Sequence, residues 1–402
     1  MGHFETDSKM KVLMAHNFYK RGGGEDKCFL AESDLLRRNA HEVLTYTVHN
    51  DAISDMSGFK AASVAIWNRD SYNELSRLIR SGKPDVVHFH NTFPLMSPAA
   101  FWAAKNQGCA VVNTLHNYRL ICPVGTLVRN GQICEDCGGR PLPWPGVVHG
   151  CYRDSRLASA AVASTLFMHR LLRTWSDKVD SFIALTEFAR RKFIEGGIPA
   201  EKISLKPNFV DPDPGPSEVG HNYALFVGRL SPEKGIDTLL TAWNKLTDKT
   251  TLRIAGAGPL SSKVASASSQ SEDIEYLGHK QPPDVMDLMG GAEFLVVPSI
   301  WYETFGLVIV EAFARAKPVI ASRLGAMTEL VQEGHTGLHF EPGDPDDLAA
   351  KVTWALGHPK EMRTMGQNAR SVYVENYSAE RNYHLLIEIY DSALASAQSA
   401  RN

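Results

Sequence analysis

Two glutamates, Glu303 and Glu311, frame the stretch Thr304-Phe305-Gly306-Leu307-Val308-Ile309-Val310. Residues 307–316 read as a helix of strong formers, with Val308, Ile309, Val310, Ala312, Phe313 and Ala314 surrounding Glu311. A helix that is apolar nearly all round is buried, and a carboxylate on it is costly unless something pairs or hydrogen-bonds it. Glu303 falls in the loop just ahead, and Gly306 stands where the helix should begin. Free backbone N–H groups and the helix dipole make that point a natural anion site. Two carboxylates that can grip hydroxyls, flanking an anion site, suit a ligand that is part phosphate and part sugar. The plainer alternative is a solvated Glu303 and a core-paired Glu311.

Two cations occur in the turn Gly228-Arg229-Leu230-Ser231-Pro232-Glu233-Lys234-Gly235, which follows an apolar run over 223–227. Arg229 and Lys234 at the end of a strand suit a diphosphate. A further strand leads into the turn Gly256-Ala257-Gly258.

The N-terminal half repeats this design with other chemistry. An apolar strand over 11–16 runs into Arg21-Gly22-Gly23-Gly24-Glu25 and then an amphipathic helix, the start of a doubly wound sheet. Three glycines let a backbone approach a ligand, although the run also fits a tight turn and is not the spaced glycine fingerprint of a dinucleotide fold. Strands over 85–91 and 110–117 end in His90-Asn91 and His116-Asn117. Ligands of open α/β sheets bind beyond the carboxyl ends of strands, so both histidines are site candidates; capping or core histidines are the alternative. Cys122, Cys134, Cys137 and Cys151 match the count of a tetrahedral four-thiolate zinc site, with free buried thiols and a redox role as the other readings.

The elements that must hold these residues exceed one ordinary core, since the chain has 402 residues. The Pro/Gly-rich stretch 211–216 reads as a linker between residues 1–210 and 217–382. A hydrophobic content of 44% and a charged content of 22% are those of a globular protein, and a net charge of −3 argues against a nucleic-acid binder. No apolar run approaches the roughly 18 residues of a membrane span, and the polar opening 1–9 has no signal-peptide core, so a cytoplasmic location is expected. Along 156–175, Leu157, Ala161, Ser164, Met168, Leu171 and Trp175 share a helical stripe bordered by Arg156, Arg170 and Arg173. The plain reading is a helix packed on the core; the sharper one is a helix on an anionic membrane surface.

With these residues in view, nearly the whole chain resembles glycosyltransferase family 4, retaining GT-B enzymes that use nucleotide sugars. The resemblance rests on Glu303 and Glu311 with Phe305-Gly306 between them, on Arg229 and Lys234 in their turn, on Gly22 to Glu25, and on His116, although Asn117 replaces the His or Asp often found next. Asn117-Tyr118-Arg119, Cys122-Pro123 and Cys134-x2-Cys137 look like a bacterial surface-polysaccharide branch. The resemblance implies an α/β chain with the GT-B fold, two Rossmann-like domains with parallel sheets facing a central cleft, and a last helix, about 383–402, packing back on the first domain.

It also implies roles. Glu311 holds the ribose hydroxyls of a UDP- or GDP-sugar, and Glu303 holds hydroxyls of the transferred sugar. Arg229, Lys234 and the amides near Gly306, Leu307 and Val308 neutralise the departing diphosphate, with no catalytic cofactor, since no Asp-x-Asp motif stands by the phosphate region. The base lies between the Gly256–Gly258 turn and the loop after Gly278-His279. Gly23, Gly24, Gly228 and Phe305 complete the donor set, and His116 lies beside the sugar. The acceptor side draws on Asn17, Arg21, Glu25, His90, Asn91, Asn117 and Arg119. The implied partners are a nucleotide sugar and a saccharide or lipid-linked acceptor; an inner-leaflet membrane surface joins them only on the sharper reading of the 156–175 helix. A GT-B epimerase or phosphorylase, and a non-catalytic nucleotide-sugar-binding protein, remain the alternatives at this point.

Overall fold

The computed structural model describes residues 9–20, 22–217 and 220–399; Arg21, expected on the acceptor side, lies outside the described residues. The chain divides into two compact units, one of Met1–Leu127, Cys134–Lys206 and Tyr383–Asn402, the other of Val128–Ile133 and Pro207–Asn382.

The first unit holds β1 (Lys11–Phe18), β2 (Glu42–His49), β3 (Val86–Asn91) and β4 (Ala110–Thr114). After the two-residue strands β5 (Val128–Arg129) and β6 (Gln132–Ile133), an antiparallel hairpin assigned to the second unit, β7 (Ser181–Ala184) and β8 (Ile203–Leu205) complete the sheet of the first. All its strands are parallel, in the order β2-β1-β3-β4-β7-β8. Runs such as Val12-Leu13-Met14-Ala15 and Ala110-Val111-Val112 are fully buried, as a sheet covered on both faces demands. Because β2 and β3 flank β1 on opposite sides, the winding reverses there, and a crevice opens beyond the carboxyl ends of β1 and β3. The helix Ala379–Ser399 contributes its residues from Tyr383 onward to this unit, where the Tyr383 hydroxyl lies 2.8 Å from His41 Nε2 and the Tyr390 hydroxyl 2.8 Å from His88 Nδ1.

The second unit holds β9 (Tyr223–Val227), β10 (Thr251–Ala255), β11 (Ile274–Gly278), β12 (Phe294–Val297), β13 (Val319–Ser322) and β14 (Gly337–Phe340), parallel in the order β11-β10-β9-β12-β13-β14. Its winding reverses at β9, between β10 and β12. The core joins Leu252, Ile254, Phe294, Val296 and Ile320 of the sheet to Leu239, Leu240 and Trp243 of one helix and Leu348 and Val352 of another. Each such side chain contributes about 1.5–3 kcal/mol by leaving water.

Two elements depart from the sequence expectation. The strand expected over 110–117 stops at Thr114, which leaves His116 and Asn117 in a loop. The short strand β14 was not expected, because four residues including His339 carry little pattern; its Gly337 is demanded by packing, since a Cβ there would meet the Val319 carbonyl oxygen at 1.9 Å.

Gly235 ties fold to site. Its φ is 71°, and a Cβ would lie 1.8 Å from the carbonyl oxygen of Pro298. The turn after β9 therefore rests directly on the chain leaving β12, an approach secured by a hydrogen bond from the Ile300 N–H to the Glu233 carbonyl, 2.9 Å. Gly235→Ala should cost on the order of 3 kcal/mol, from the left-handed conformation and overpacking together. Calorimetry should then show the melting temperature falling by roughly 6–12 °C; an unchanged melting temperature would contradict this account.

Candidate functional site

In the second unit, Lys234 and Glu303 meet beyond the carboxyl ends of β9 and β12. Lys234 closes the short turn Pro232–Lys234, and Glu303 lies in the loop after β12. Lys234 Nζ is 2.5 Å from Glu303 Oε1, and the Ser299 hydroxyl donates to the same oxygen at 2.8 Å. The ammonium also stands 5.1 Å from the centre of the Trp301 ring. Burial by itself would raise the Glu303 pKa, but the Lys234 charge and the hydrogen bonds it receives carry it below the ordinary carboxylate value. Glu303 is therefore a carboxylate, an acceptor for hydroxyls.

Gly306 caps the helix Leu307–Ala314 with φ 104°, so the amides of Leu307 and Val308 open the helix at this end. Glu311 is buried on that helix. Arg229 is exposed at the end of β9. The Gly256–Gly258 turn lies against the Gly228–Leu230 backbone: a Cβ on Gly256 would be 1.9 Å from the Gly228 carbonyl oxygen, and one on Gly258 2.3 Å from that of Leu230. The glycines of this turn are thus required by packing. Gly278 accepts from the Gly256 N–H at 2.8 Å, and His279 is exposed beyond it. The Phe305 side chain, expected at the donor, is buried edge-on to Tyr377 with ring centres 6.0 Å apart, so any contact from that residue falls to its backbone. The sequence reading missed Ser299, although its place straight after Pro298 marked it as a strand-end hydroxyl.

In the first unit, the helix Gly24–Arg38 starts at the glycine loop. Asp26 accepts from the Gly23 N–H at 2.9 Å and lies 2.6 Å from His16 Nε2, so the loop is tied to β1. A Cβ on Gly23 or Gly24 would meet nothing within 4 Å, so open space and not local packing accounts for these two. Glu25, Asn117 and Arg119 come together nearby. Burial first, then the Asp26 charge, pushes the Glu25 carboxyl up to about 8 against the pull of Arg119 and a hydrogen bond with Asn117. Glu25 Oε2 and Arg119 Nε are buried and make no hydrogen bond among the described residues. The Arg119 guanidinium stands 4.2 Å from the Phe93 ring centre and 5.5 Å from that of Tyr152, while donating to the carbonyls of Pro123 at 2.7 Å and Val124 at 3.2 Å. Two polar groups beside aromatic faces form a pattern suited to a saccharide. The aromatic members, Phe93 and Tyr152, escaped the sequence reading because single aromatics far apart in the chain carry no spacing signal.

Two expected acceptor residues serve elsewhere. Asn17 is fully buried; its amide donates to Asn50 Oδ1 at 2.8 Å, and its oxygen accepts from the Leu95 and Met96 N–H groups. Asn91 donates to the Asn17 carbonyl at 2.7 Å. Both brace the loop after β3. His116 lies 3.0 Å, Nε2 to Nδ1, from His90. Burial, with His90 next in weight, holds the His116 pKa well below the ordinary histidine value, so His116 is neutral near pH 7.

The structural zinc expected at Cys122, Cys134, Cys137 and Cys151 is not supported. Among the described residues, one group of histidine, cysteine or carboxylate ligand atoms has all members within 4.8 Å of one another, and it is Glu32, His88 and His90. None of the four cysteines forms a disulfide among the described residues. Cys122 instead helps shape a tight turn, with its carbonyl accepting from the Gly125 N–H at 2.9 Å and Gly125 accepting from Tyr118 at 3.0 Å.

The helix Arg156–Leu171 corrects the core-packing reading of its stripe. Val162, Ala163, Leu166 and His169 face inward, whereas Leu157 is 86% and Leu171 64% exposed, with Met168 and Leu172 also exposed. Trp175, beyond the helix, is buried. Among the described residues no helix is long and apolar enough to cross a membrane.

Comparison with known proteins agrees with both halves. The family model described as glycosyl transferases group 1 matches residues 211–372, and that described as glycosyltransferase family 4 matches residues 31–214. The chain is 27% identical over 398 residues to an uncharacterised glycosyltransferase of Methanocaldococcus jannaschii, covering 95% of this chain and 98% of that one. It is 30% identical over 325 residues to a glycogen synthase of Mycobacterium tuberculosis, covering 78% of this chain and 70% of the relative. Among solved structures, Anabaena HepE in complex with UDP superposes with a TM-score of 0.67 at 18% identity, covering 95% of this chain and 100% of HepE. The chain therefore belongs to the group 1 glycosyltransferases of the family 4 type, and its two parallel-sheet units have the GT-B fold.

Proposed function

We propose that this enzyme moves a hexose from a UDP- or GDP-sugar, with retention of anomeric configuration, to a hydroxyl of a saccharide or lipid-linked acceptor in exopolysaccharide, capsule or lipopolysaccharide synthesis. The observation that carries the reading is the Lys234–Glu303–Ser299 constellation in the same unit as a helix opened by Gly306. Glu303 accepts from sugar hydroxyls and favours the positive charge that the ring gains as its bond to phosphate breaks. Arg229, Lys234 and the Leu307 and Val308 amides face the charge that develops on the diphosphate, the kind of preorganised stabilisation that dominates such reactions. Glu311 grips the ribose.

The acceptor hydroxyl attacks from the face that the diphosphate leaves. The bond from the anomeric carbon to phosphate oxygen breaks, the bond to the acceptor oxygen forms, and the hydroxyl proton passes to the departing phosphate. Glu25, Asn117 and Arg119 with their aromatic neighbours bind the acceptor. The exposed apolar side chains of Leu157, Met168, Leu171 and Leu172, with Arg156, Arg170 and Arg173 beside them, suit an anionic inner-leaflet surface on which a lipid-linked acceptor is presented.

Three outcomes are expected. NMR of the product should show the donor's anomeric configuration, and turnover should need neither added phosphate nor a metal, persisting in EDTA; an inverted product would end the retaining reading, and a phosphate requirement the transferase assignment. Glu303→Gln should lower kcat by on the order of 10²-fold, the scale of one lost electrostatic contact. Glu311→Gln, remote from the bond being broken, should mainly raise donor KM, because it removes uniform binding; the reverse pattern in folded variants would exchange the two roles. The protein should sediment with vesicles containing anionic phospholipid and not with neutral ones, and the Leu157→Glu, Leu171→Glu double variant should lose this about ten-fold or more. Equal sedimentation of variant and parent would remove the membrane role.

A further inference from the structure

Behind His116 the first unit buries an unusual number of titratable side chains. Glu32, on the helix Gly24–Arg38, and Lys206, just after β8, are both 0% exposed, with Lys206 Nζ 2.5 Å from Glu32 Oε1. His90 Nε2 faces the other carboxylate oxygen at 3.4 Å, an ion-pair contact in which neither atom has a hydrogen-bond partner among the described residues, and His90 Nδ1 is hydrogen-bonded to His116 Nε2 at 3.0 Å. His88 Nδ1 is 3.8 Å from Glu32 Oε2, while its ring nitrogens lie 2.8 Å from the Tyr390 and Thr114 hydroxyls. His16 approaches His90 edge-on, with ring centres 6.3 Å apart, and is itself engaged by Asp26.

We propose that Glu32 and His90 are positioning residues for the transfer reaction, forming a buried relay that fixes His116 in one tautomer, with its proton on Nε2 and its lone pair on Nδ1.

The tautomer follows from donor and acceptor accounting. The Glu32 carboxylate can only accept. A lone pair on His90 Nε2 would face that carboxylate and be repelled, so Nε2 carries the proton. The negative charge of Glu32 is already balanced by Lys206, and a third buried charge would lack compensation. With the proton on Nε2, Nδ1 of the His90 ring is the acceptor. The atom opposite, His116 Nε2, must then donate, which leaves the acceptor of His116 at Nδ1. His88 does not disturb this order, because the hydroxyls on both its nitrogens can donate or accept. Glu32, His88 and His90 also come close enough together to suggest a cation site, but the ammonium of Lys206 already occupies Glu32, and a second cation beside it would be repelled.

The consequence for the reaction rests on the proposed placement of His116 beside the transferred sugar. An Nδ1 lone pair can accept from a sugar hydroxyl and orient it. The opposite tautomer would present an N–H at that atom and lose this contact. The arrangement parallels the way a buried carboxylate sets a catalytic imidazole elsewhere, except that a second histidine intervenes.

The test is ¹⁵N NMR of the imidazole rings in the full-length protein near pH 7.5, with His116 assigned through His116→Gln. The wild-type His116 signal should show the Nε2–H tautomer. His90→Phe should convert it to a mixture and lower kcat by roughly 10–100-fold with little change in donor KM. His90→Gln, whose carbonyl can accept from His116 and whose amide can donate to Glu32, should restore both the tautomer and most of the turnover. A wild-type spectrum showing the Nδ1–H tautomer, or an imidazolium, would overturn the relay, and this reading stands without either variant should they fail to fold. A correct tautomer together with unimpaired turnover in His116→Gln would instead leave the relay standing and refute the placement of His116 at the sugar.

Discussion

A carboxylate taken out of water must meet a cation, and each unit of this protein is built around one such meeting. In the first unit it is Glu32 with Lys206, both fully enclosed; in the second it is Glu303 with Lys234, partly open to solvent. Removing either partner of a buried pair strands a charge at a cost of about 3–5 kcal/mol. The enclosed pair therefore fixes the Gly24–Arg38 helix against the end of β8. In the proposed function, the open pair exchanges its partners for hydroxyls and phosphate. One kind of interaction thus serves as a fastener in one unit and, in the proposed function, as a binding surface in the other, the difference lying in depth of burial.

Close backbone approach is the second constraint. Gly235, Gly256 and Gly258 each lie where a side chain would strike a carbonyl of the neighbouring loop. The loops after β9, β10 and β12 are consequently packed backbone on backbone. Lys234 and Glu303 inherit a fixed separation from this, because each is a few residues from such a contact. Under the proposed function, a site held this way spends little on reorganisation when charge develops. The glycine loop of the first unit differs: Gly23 and Gly24 border open space, so the same residue type marks packing in one unit and access in the other.

Much of this was legible in the chain itself. Apolar runs ending in glycine or in polar residues, followed by amphipathic helices, can only be parallel strands with their crossovers, and such sheets carry ligands at their carboxyl ends. Glu303, Gly306, Glu311, Arg229 and Lys234 stood out because each is a polar or glycine residue set in an apolar or turn context within a short window. Glu32 could have been found the same way, since it shares a helical face with Cys28, Phe29, Leu35 and Leu36, all buried.

Other features were decided only by tertiary structure. Periodicity showed that residues 156–171 form a helix with apolar residues on it, but Val162, Ala163 and Leu166 make an inner stripe about as apolar as the outer one of Leu157, Met168 and Leu171, and only the surrounding elements select which is covered. The cysteines looked like a metal site by count; the fold does gather them, so that burial first, with Cys122, Cys151 and Cys134 nearby, pushes the Cys137 thiol up to about 12, but no three of their sulfurs lie within 4.8 Å of one another. Lys206 finds Glu32 across 174 residues of sequence, and His116 finds His90 because β3 and β4 are neighbours. By itself the sequence determined the two parallel-sheet units and the local setting of the Glu303–Glu311 motif, because those depend on contacts a few residues apart. Strand order and helix placement decided the rest, because they set which distant side chains share a volume that excludes water, and only there must charges pair and tautomers be fixed.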